Sequence, residues 1–165
     1  MLRGAILMLL ALAVTSCGFS LRGSSTLAGN LPELKLNLQQ PNSEVARLLR
    51  RALEDANVVL HDINDEPLDN TVPVLNVGAE QLIVRPITMT AQARAAQYDI
   101  RISLLVNLSS GDSNMLGPEQ LSVQQIYYEN TGNIVGTQEE IEVIQEEMRR
   151  GLVIQILRRL EAITG

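Results

Sequence analysis

Tyr98-Asp99-Ile100-Arg101-Ile102-Ser103-Leu104-Leu105-Val106-Asn107-Leu108 alternates apolar and polar side chains, with Leu105 the one apolar residue at the polar parity. A period of two puts Tyr98, Ile100, Ile102, Leu104, Val106 and Leu108 on one face, which predicts a strand with one core face and one polar face. Upstream, Pro73 to Val84 is also rich in β-formers. There Leu75-Val77-Ala79 and Leu82-Val84 fall on opposite parities, so a bulge or twist is expected near Glu80-Gln81. Between the two strands, Arg85-Pro86 through Ala96 forms the distal part of a long β-hairpin. Downstream, Gly111 to Pro118 reads as a turn region, Leu121 to Tyr128 as a further strand and Thr131-Gly132-Asn133 as a loop.

Leu34-Lys35-Leu36-Asn37-Leu38-Gln39 alternates in the same way before Pro41 and supplies the first strand. Ser43 then stands as a helix N-cap with Glu44 in the first turn, and Val45, Leu48, Leu49, Ala52, Leu53 and Ala56 share one helical face. Asn57 ends this helix, and Val58-Val59-Leu60 adds a brief extended segment. At the other end of the chain Thr137 and Glu140 have capping-box spacing. Ile141, Ile144, Met148, Leu152, Ile156 and Leu160 follow at three- and four-residue steps, predicting a helix over residues 138 to 163. Gly151 permits close approach of its backbone to the sheet, and the early glutamates with Arg158 and Arg159 complement the helix dipole. The order β-α-β-β-β-α predicts an α+β fold: a two-layer sandwich of a mixed four-stranded sheet with two helices packed on one face. The second face stays partly exposed, with Leu82, Val84 and Leu105 as a possible docking surface.

Composition narrows what such a domain does. The chain of 165 residues is 45% hydrophobic and 19% charged, enough for a packed core. Aromatic residues make up only 2% and the net charge is −6. Base stacking and broad phosphate attraction are both poorly served, so no nucleic-acid partner is expected. The single cysteine, Cys17, and single histidine, His61, exclude an intramolecular disulfide and a His-rich metal site. Asp62, Asp65, Glu66 and Asp69 lie close together but lack the central Gly and terminal Glu of a calcium loop. No Gly-rich phosphate loop, Ser/His/Asp grouping or paired metal-ligand motif occurs, so neither an enzyme nor a metal site is expected.

The N-terminus predicts export. Met1-Leu2-Arg3 gives a positive start, and the apolar run Ala5 to Val14 precedes small polar Thr15 and Ser16. This is the layout of a cleaved signal peptide over residues 1–16, and the run is short for a membrane span of ~20 residues. Val14-Thr15-Ser16-Cys17 resembles the bacterial lipobox, which implies lipid attachment at Cys17. Several acyl chains, each buried CH₂ contributing ~0.8 kcal/mol, give firm membrane attachment. Gly18 stands where Asp would resemble an inner-membrane retention signal, so the outer membrane is the expected destination. Residues 17–30, rich in Ser and Gly, read as a lipidated tether, and residues 31–165 as one domain.

Cys17-Gly18-Phe19-Ser20-Leu21-Arg22-Gly23, the strand and helix Leu34 to Leu53, Ala95-Ala96-Gln97-Tyr98, Tyr127-Tyr128-Glu129-Asn130 and Gln155-Ile156-Leu157-Arg158-Arg159-Leu160 carry, in this order, a resemblance to the LptE family of LPS-assembly lipoproteins. The resemblance covers essentially the whole chain after Ser16. It implies an outer-membrane lipoprotein on the periplasmic side that plugs a large β-barrel partner, LptD, supporting its assembly and the transport of lipopolysaccharide to the outer leaflet. No cofactor is implied beyond the covalent lipid on Cys17. Lipopolysaccharide carries phosphates, and Arg is shaped for bidentate phosphate recognition, so Arg85, Arg94 and Arg101 on the long hairpin are the candidate lipopolysaccharide contacts, with Lys35 a weaker one. The alternative is a generic lipid-anchored periplasmic binding or scaffold module.

Overall fold

In the computed structural model the described residues are 25–63, 71–89, 95–128 and 134–164. They form helix α1 (Ser25–Asn30), strand β1 (Glu33–Leu38), helix α2 (Glu44–Asp55), strands β2 (Val59–Asp62), β3 (Val74–Val77), β4 (Gln81–Met89), β5 (Ala95–Ser110) and β6 (Ser113–Tyr128), and helix α3 (Ile134–Thr164). The expected α+β sandwich with a mixed sheet is the observed architecture, with six strands and three helices where four and two were expected.

Two of the extra elements lie at segments the sequence left ambiguous. Residues Val59–Asp62 pair in parallel with β1, with Glu33 opposite Val59 and Leu36 opposite Asp62, so the brief extended segment is an edge strand. The lead-in is helical from Ser25, and Leu27 and Leu31 are buried against the core instead of belonging to a free tether. The second extra strand arises because the β-rich stretch from Pro73 is two strands on one edge of β5. Val77 stands opposite Val106 and Leu82 opposite Ile102, so five steps on one side face four on the other. The surplus residue sits at Gly78-Ala79-Glu80 and is the bulge that the parity change required.

β5 is the spine of the sheet. β3 and β4 share one of its edges, β6 runs antiparallel along the other, and β1 and β2 extend the sheet in parallel beyond β3. β6 begins at Ser113, so the turn is confined to Gly111-Asp112, with Gly111 at φ 55°, and the strand passes through Gly117 and Pro118. Pro is tolerated there because, among the described residues, β6 pairs only with β5. The local register slips, Val106 facing Glu119 and Leu108 facing Leu116, which accommodates one extra residue.

The helices cover one face. Ser43 caps α2, its Oγ accepting the Ala46 N–H at 3.2 Å, and Asn57 ends the helical segment at φ 59° while Val58 N–H donates to the Leu53 carbonyl. Val45, Leu49 and Leu53 of α2 and Met148, Leu152, Ile156 and Leu160 of α3 meet Leu34, Leu36, Leu75, Ile100, Ile102 and Leu108 of the sheet in a single core. α3 starts at Ile134 and ends at Thr164, so Thr137 and Glu140 lie within the helix and do not form its cap. Its first turn holds no acid and its last no base. Glu140 instead accepts from the Tyr127 hydroxyl at 3.2 Å, and Arg159 pairs with Glu119 of β6 at 2.7 Å. These charges tie the helix to the sheet and do not serve the helix dipole.

Candidate functional site

Every residue of β4 is exposed. As an edge strand paired only with β5 among the described residues, it lies beyond the cover of the helices. Directly paired residues share a face, so the register of β4, β5 and β6 sorts the wing. On the uncovered face Ile83, Arg101 and Gln124 form one row, and Arg85, Asp99 and Ile126 the next. Arg85 and Arg101, two of the predicted contacts, are therefore diagonal neighbours on one surface.

The two arginines differ in how they are held. Arg101 Nη2 donates to Gln124 Oε1 at 3.0 Å, and Gln124 Nε2 donates in turn to Asp99 Oδ1 at 2.7 Å. This relay fixes Arg101 and occupies part of the Asp99 carboxylate. Arg85, although opposite Asp99 in register, has no hydrogen-bond or ion-pair partner among the described residues. Two guanidiniums against one carboxylate leave a local surplus of positive charge on a chain of net charge −6. Such a patch suits a phosphorylated ligand. Lys35 lies on the same face two strands away, at the β1–β3 pairing. Cys17 and Arg94 lie outside the described residues, as do the signal segment and the acidic residues 65–69.

The expected apolar docking surface is corrected in part. Leu105 is on the uncovered face, 51% exposed, but Leu82 and Val84 stand opposite Ile102 and Ile100 and so point to the helix-covered side. They are exposed because no helix reaches them. Ile83, which shares the surface of Arg101, takes their place. With Ile87, Met89, Ile126 and Tyr128 also exposed, the wing is apolar on both sides around a small cationic centre.

One charged pair went unforeseen. Arg149 of α3 grips Glu80 at the bulge through three hydrogen bonds of 2.8 to 3.1 Å. Its pKa is raised by the hydrogen bonds it donates to Glu80, against the opposing effect of burial. The Gln39 and Gln40 side chains accept the Ala79 and Glu80 N–H groups, at 2.9 and 3.1 Å. The point from which β4 departs is thus fixed from two directions. Nothing in the spacing of Glu80 and Arg149 marks a pair separated by 69 positions.

Among the described residues no cluster of three or more His, Cys, Asp or Glu side chains is placed to hold a metal ion, and no helix is long and apolar enough to cross a membrane. The arrangement offers binding surfaces, with charge and apolar area held on a rigid sheet.

Comparison with known proteins places these features in context. The profile of a family described as "LptE: Lipopolysaccharide-assembly" matches residues 31–160. An LPS-assembly lipoprotein LptE from Yersinia enterocolitica is 24% identical over 163 residues, covering 96% of this chain and 77% of the relative. The protein of that name from Yersinia pestis (strain Pestoides F) is 28% identical over 158 residues, covering 94% and 73%. Among solved structures, the rare lipoprotein B of Shewanella oneidensis superimposes with a TM-score of 0.70 at 21% identity, covering 79% of this chain and 94% of that one. Lipoprotein B of Nitrosomonas europaea gives 0.68 at 15% identity, covering 89% and 92%. At these identities the two structures speak for the fold.

Proposed function

Since the chain belongs to the LptE family of lipopolysaccharide assembly, we propose that it is an outer-membrane lipoprotein, acylated at Cys17, that plugs an LptD-type β-barrel from the periplasmic side. In this role it supports the folding of the barrel and the passage of lipopolysaccharide to the outer leaflet. The observation that carries the reading is the family match across residues 31–160. The physical form is consistent with it. Wide barrels are occluded by well-packed bodies with polar surfaces, and a sandwich with one open sheet face is such a body. No bond is made or broken in this function. The protein acts by holding a partner and presenting a surface.

Arg85 and Arg101, with Arg94 from the same hairpin, are the proposed contacts for the phosphates of lipopolysaccharide. Arg85 supports this assignment best, because its guanidinium is open to an incoming anion. Replacing all three with Ala is expected to weaken lipopolysaccharide binding without unfolding the domain, and unchanged binding refutes the assignment.

A mild-detergent pull-down of tagged protein from outer membranes tests the partner. Recovery of a large barrel in near-equal amount, with lipopolysaccharide, is the expected result. Recovery of the lipoprotein alone, under conditions that preserve other barrel complexes, overturns the plug reading and leaves a lipid-anchored periplasmic module. Mass analysis of the N-terminal peptide tests acylation of Cys17.

A further inference from the structure

Apart from the arginine patch, the uncovered face of the sheet carries a groove of about 560 Å³, flanked by Leu105 and Pro118. This is within the usual ~300–1,000 Å³ of small-molecule sites. Its floor is a ladder of amides. Asn37, Asn76 and Asn107 stand in register on β1, β3 and β5. Asn37 Nδ2 donates to Asn76 Oδ1 and Asn76 Nδ2 donates to Asn107 Oδ1, both at 2.7 Å. Asn107 Nδ2 ends the chain on the Leu116 carbonyl of β6 at 3.3 Å. The ladder fixes each amide plane and repeats at the strand spacing of ~4.8 Å.

A primary amide has two N–H donors and two acceptor lone pairs. The ladder consumes one of each at Asn76, so a donor and an acceptor remain there for a ligand. Among the described residues no ionisable side chain lines the groove. An anion finds no counter-charge in it, and a peptide strand finds no free backbone edge on the floor of a paired sheet. A neutral polyhydroxylated ligand meets matching donors and acceptors, with Leu105 and Pro118 against the C–H face of its ring.

We propose that the groove binds neutral sugar units, and, resting on the function proposed above, that its occupant is the uncharged saccharide of lipopolysaccharide. The placement of the two sites supports this. Arg101 and Asn107 lie on the same face of β5, six residues apart, which is ~20 Å at the rise of a strand. One extended glycolipid reaches both, its phosphates on the arginines and its neutral sugars on the amides.

The test uses full-length lipidated protein in detergent, with dephosphorylated, lipid-free core oligosaccharide and lipid A alone as separate probes. Asn76→Leu removes the middle of the ladder while keeping the branching and the number of side-chain heavy atoms, and Asn37→Leu removes its exposed end, where folding is least at risk. Wild type is expected to bind the oligosaccharide, and each variant to bind it about tenfold more weakly, equivalent to ~1.4 kcal/mol, with lipid A binding unchanged. Failure of wild type to bind the oligosaccharide, or binding that neither folded variant alters, overturns the proposal. So does a variant that loses barrel recovery and keeps sugar binding, which would give the groove to a protein. If wild type binds oligosaccharide yet recovers no barrel and no lipopolysaccharide, the functional reading fails and the sugar site stands.

Discussion

Removing the Arg149 side chain strands a carboxylate. Glu80 is 13% exposed and Arg149 20%, so the pair is largely shielded from water, and its three hydrogen bonds are each charge-assisted. One hydrogen bond to a charged group is worth about 1.5–3 kcal/mol net. The three share two side chains and are not additive, and breaking a fully buried pair costs about 3–5 kcal/mol. Residual solvent contact places Arg149→Ala at about 3 kcal/mol. Glu80→Gln keeps the shape and removes the charge, at about 1.5 kcal/mol. The double variant is expected to cost less than the two together, with a coupling of about 2 kcal/mol. Urea unfolding followed by far-ultraviolet circular dichroism measures all three. For a domain of this size Arg149→Ala corresponds to a fall in Tm of about 6–12 °C. The pKa of Arg149 is raised on folding, so its contribution is fully present below the unfolded value and is lost only as pH rises through the folded one. Since both lie at the alkaline extreme, the arginine stays charged at every pH used in handling the protein. A destabilisation below about 0.5 kcal/mol, or strict additivity of the double variant, refutes the claim that this pair anchors the bulge.

Three further substitutions probe the scaffold. A Cβ added at Gly151 meets Val123 Cγ2 at 3.5 Å, an ordinary contact, so Gly151→Ala is expected to stabilise by about 0.5–1 kcal/mol in thermal unfolding, whereas a loss would show the sheet too close for a methyl group. Leu27→Ala is expected to cost about 2–4 kcal/mol because the side chain is 1% exposed, and unchanged unfolding would mean that α1 does not dock. Ser43→Ala removes the cap acceptor and is expected to cost about 1 kcal/mol, with faster amide exchange at Ala46, and unaltered exchange would contradict the cap.

Much of the fold was readable because its signals are periodic. β5, the apolar face of α2 and the stripe from Ile141 to Leu160 each repeat at the spacing of their element, and the parity change between Val77 and Leu82 revealed the bulge. The misses came where context overrides local preference. Gly117-Pro118 looks like a turn, but an edge strand with a register slip absorbs it. Thr137-x-x-Glu140 looks like a cap, but Glu140 is committed to Tyr127 across the interface. Ser and Gly around α1 masked a helix whose stability comes from burying Leu27. Arg85 and Arg101 were chosen as candidates by residue type, and that they share a surface follows from the register and not from the sequence. The Glu80–Arg149 grip and the asparagine ladder were not legible, because each depends on which strands become neighbours, and no local pattern encodes that.

β4 also bears on how the isolated protein behaves at high concentration. A strand of nine residues, apolar on both sides and unpaired along its outer edge among the described residues, is a template on which another chain can add. Arg85 and Pro86 interrupt it near the middle, a charge and a missing N–H where a growing cross-strand stack would need neither. These two residues are expected to slow strand addition at this edge without abolishing it. Overproduction should therefore appear first as aggregates seeded through residues 81–89, and a second charge at Ile83 should suppress them.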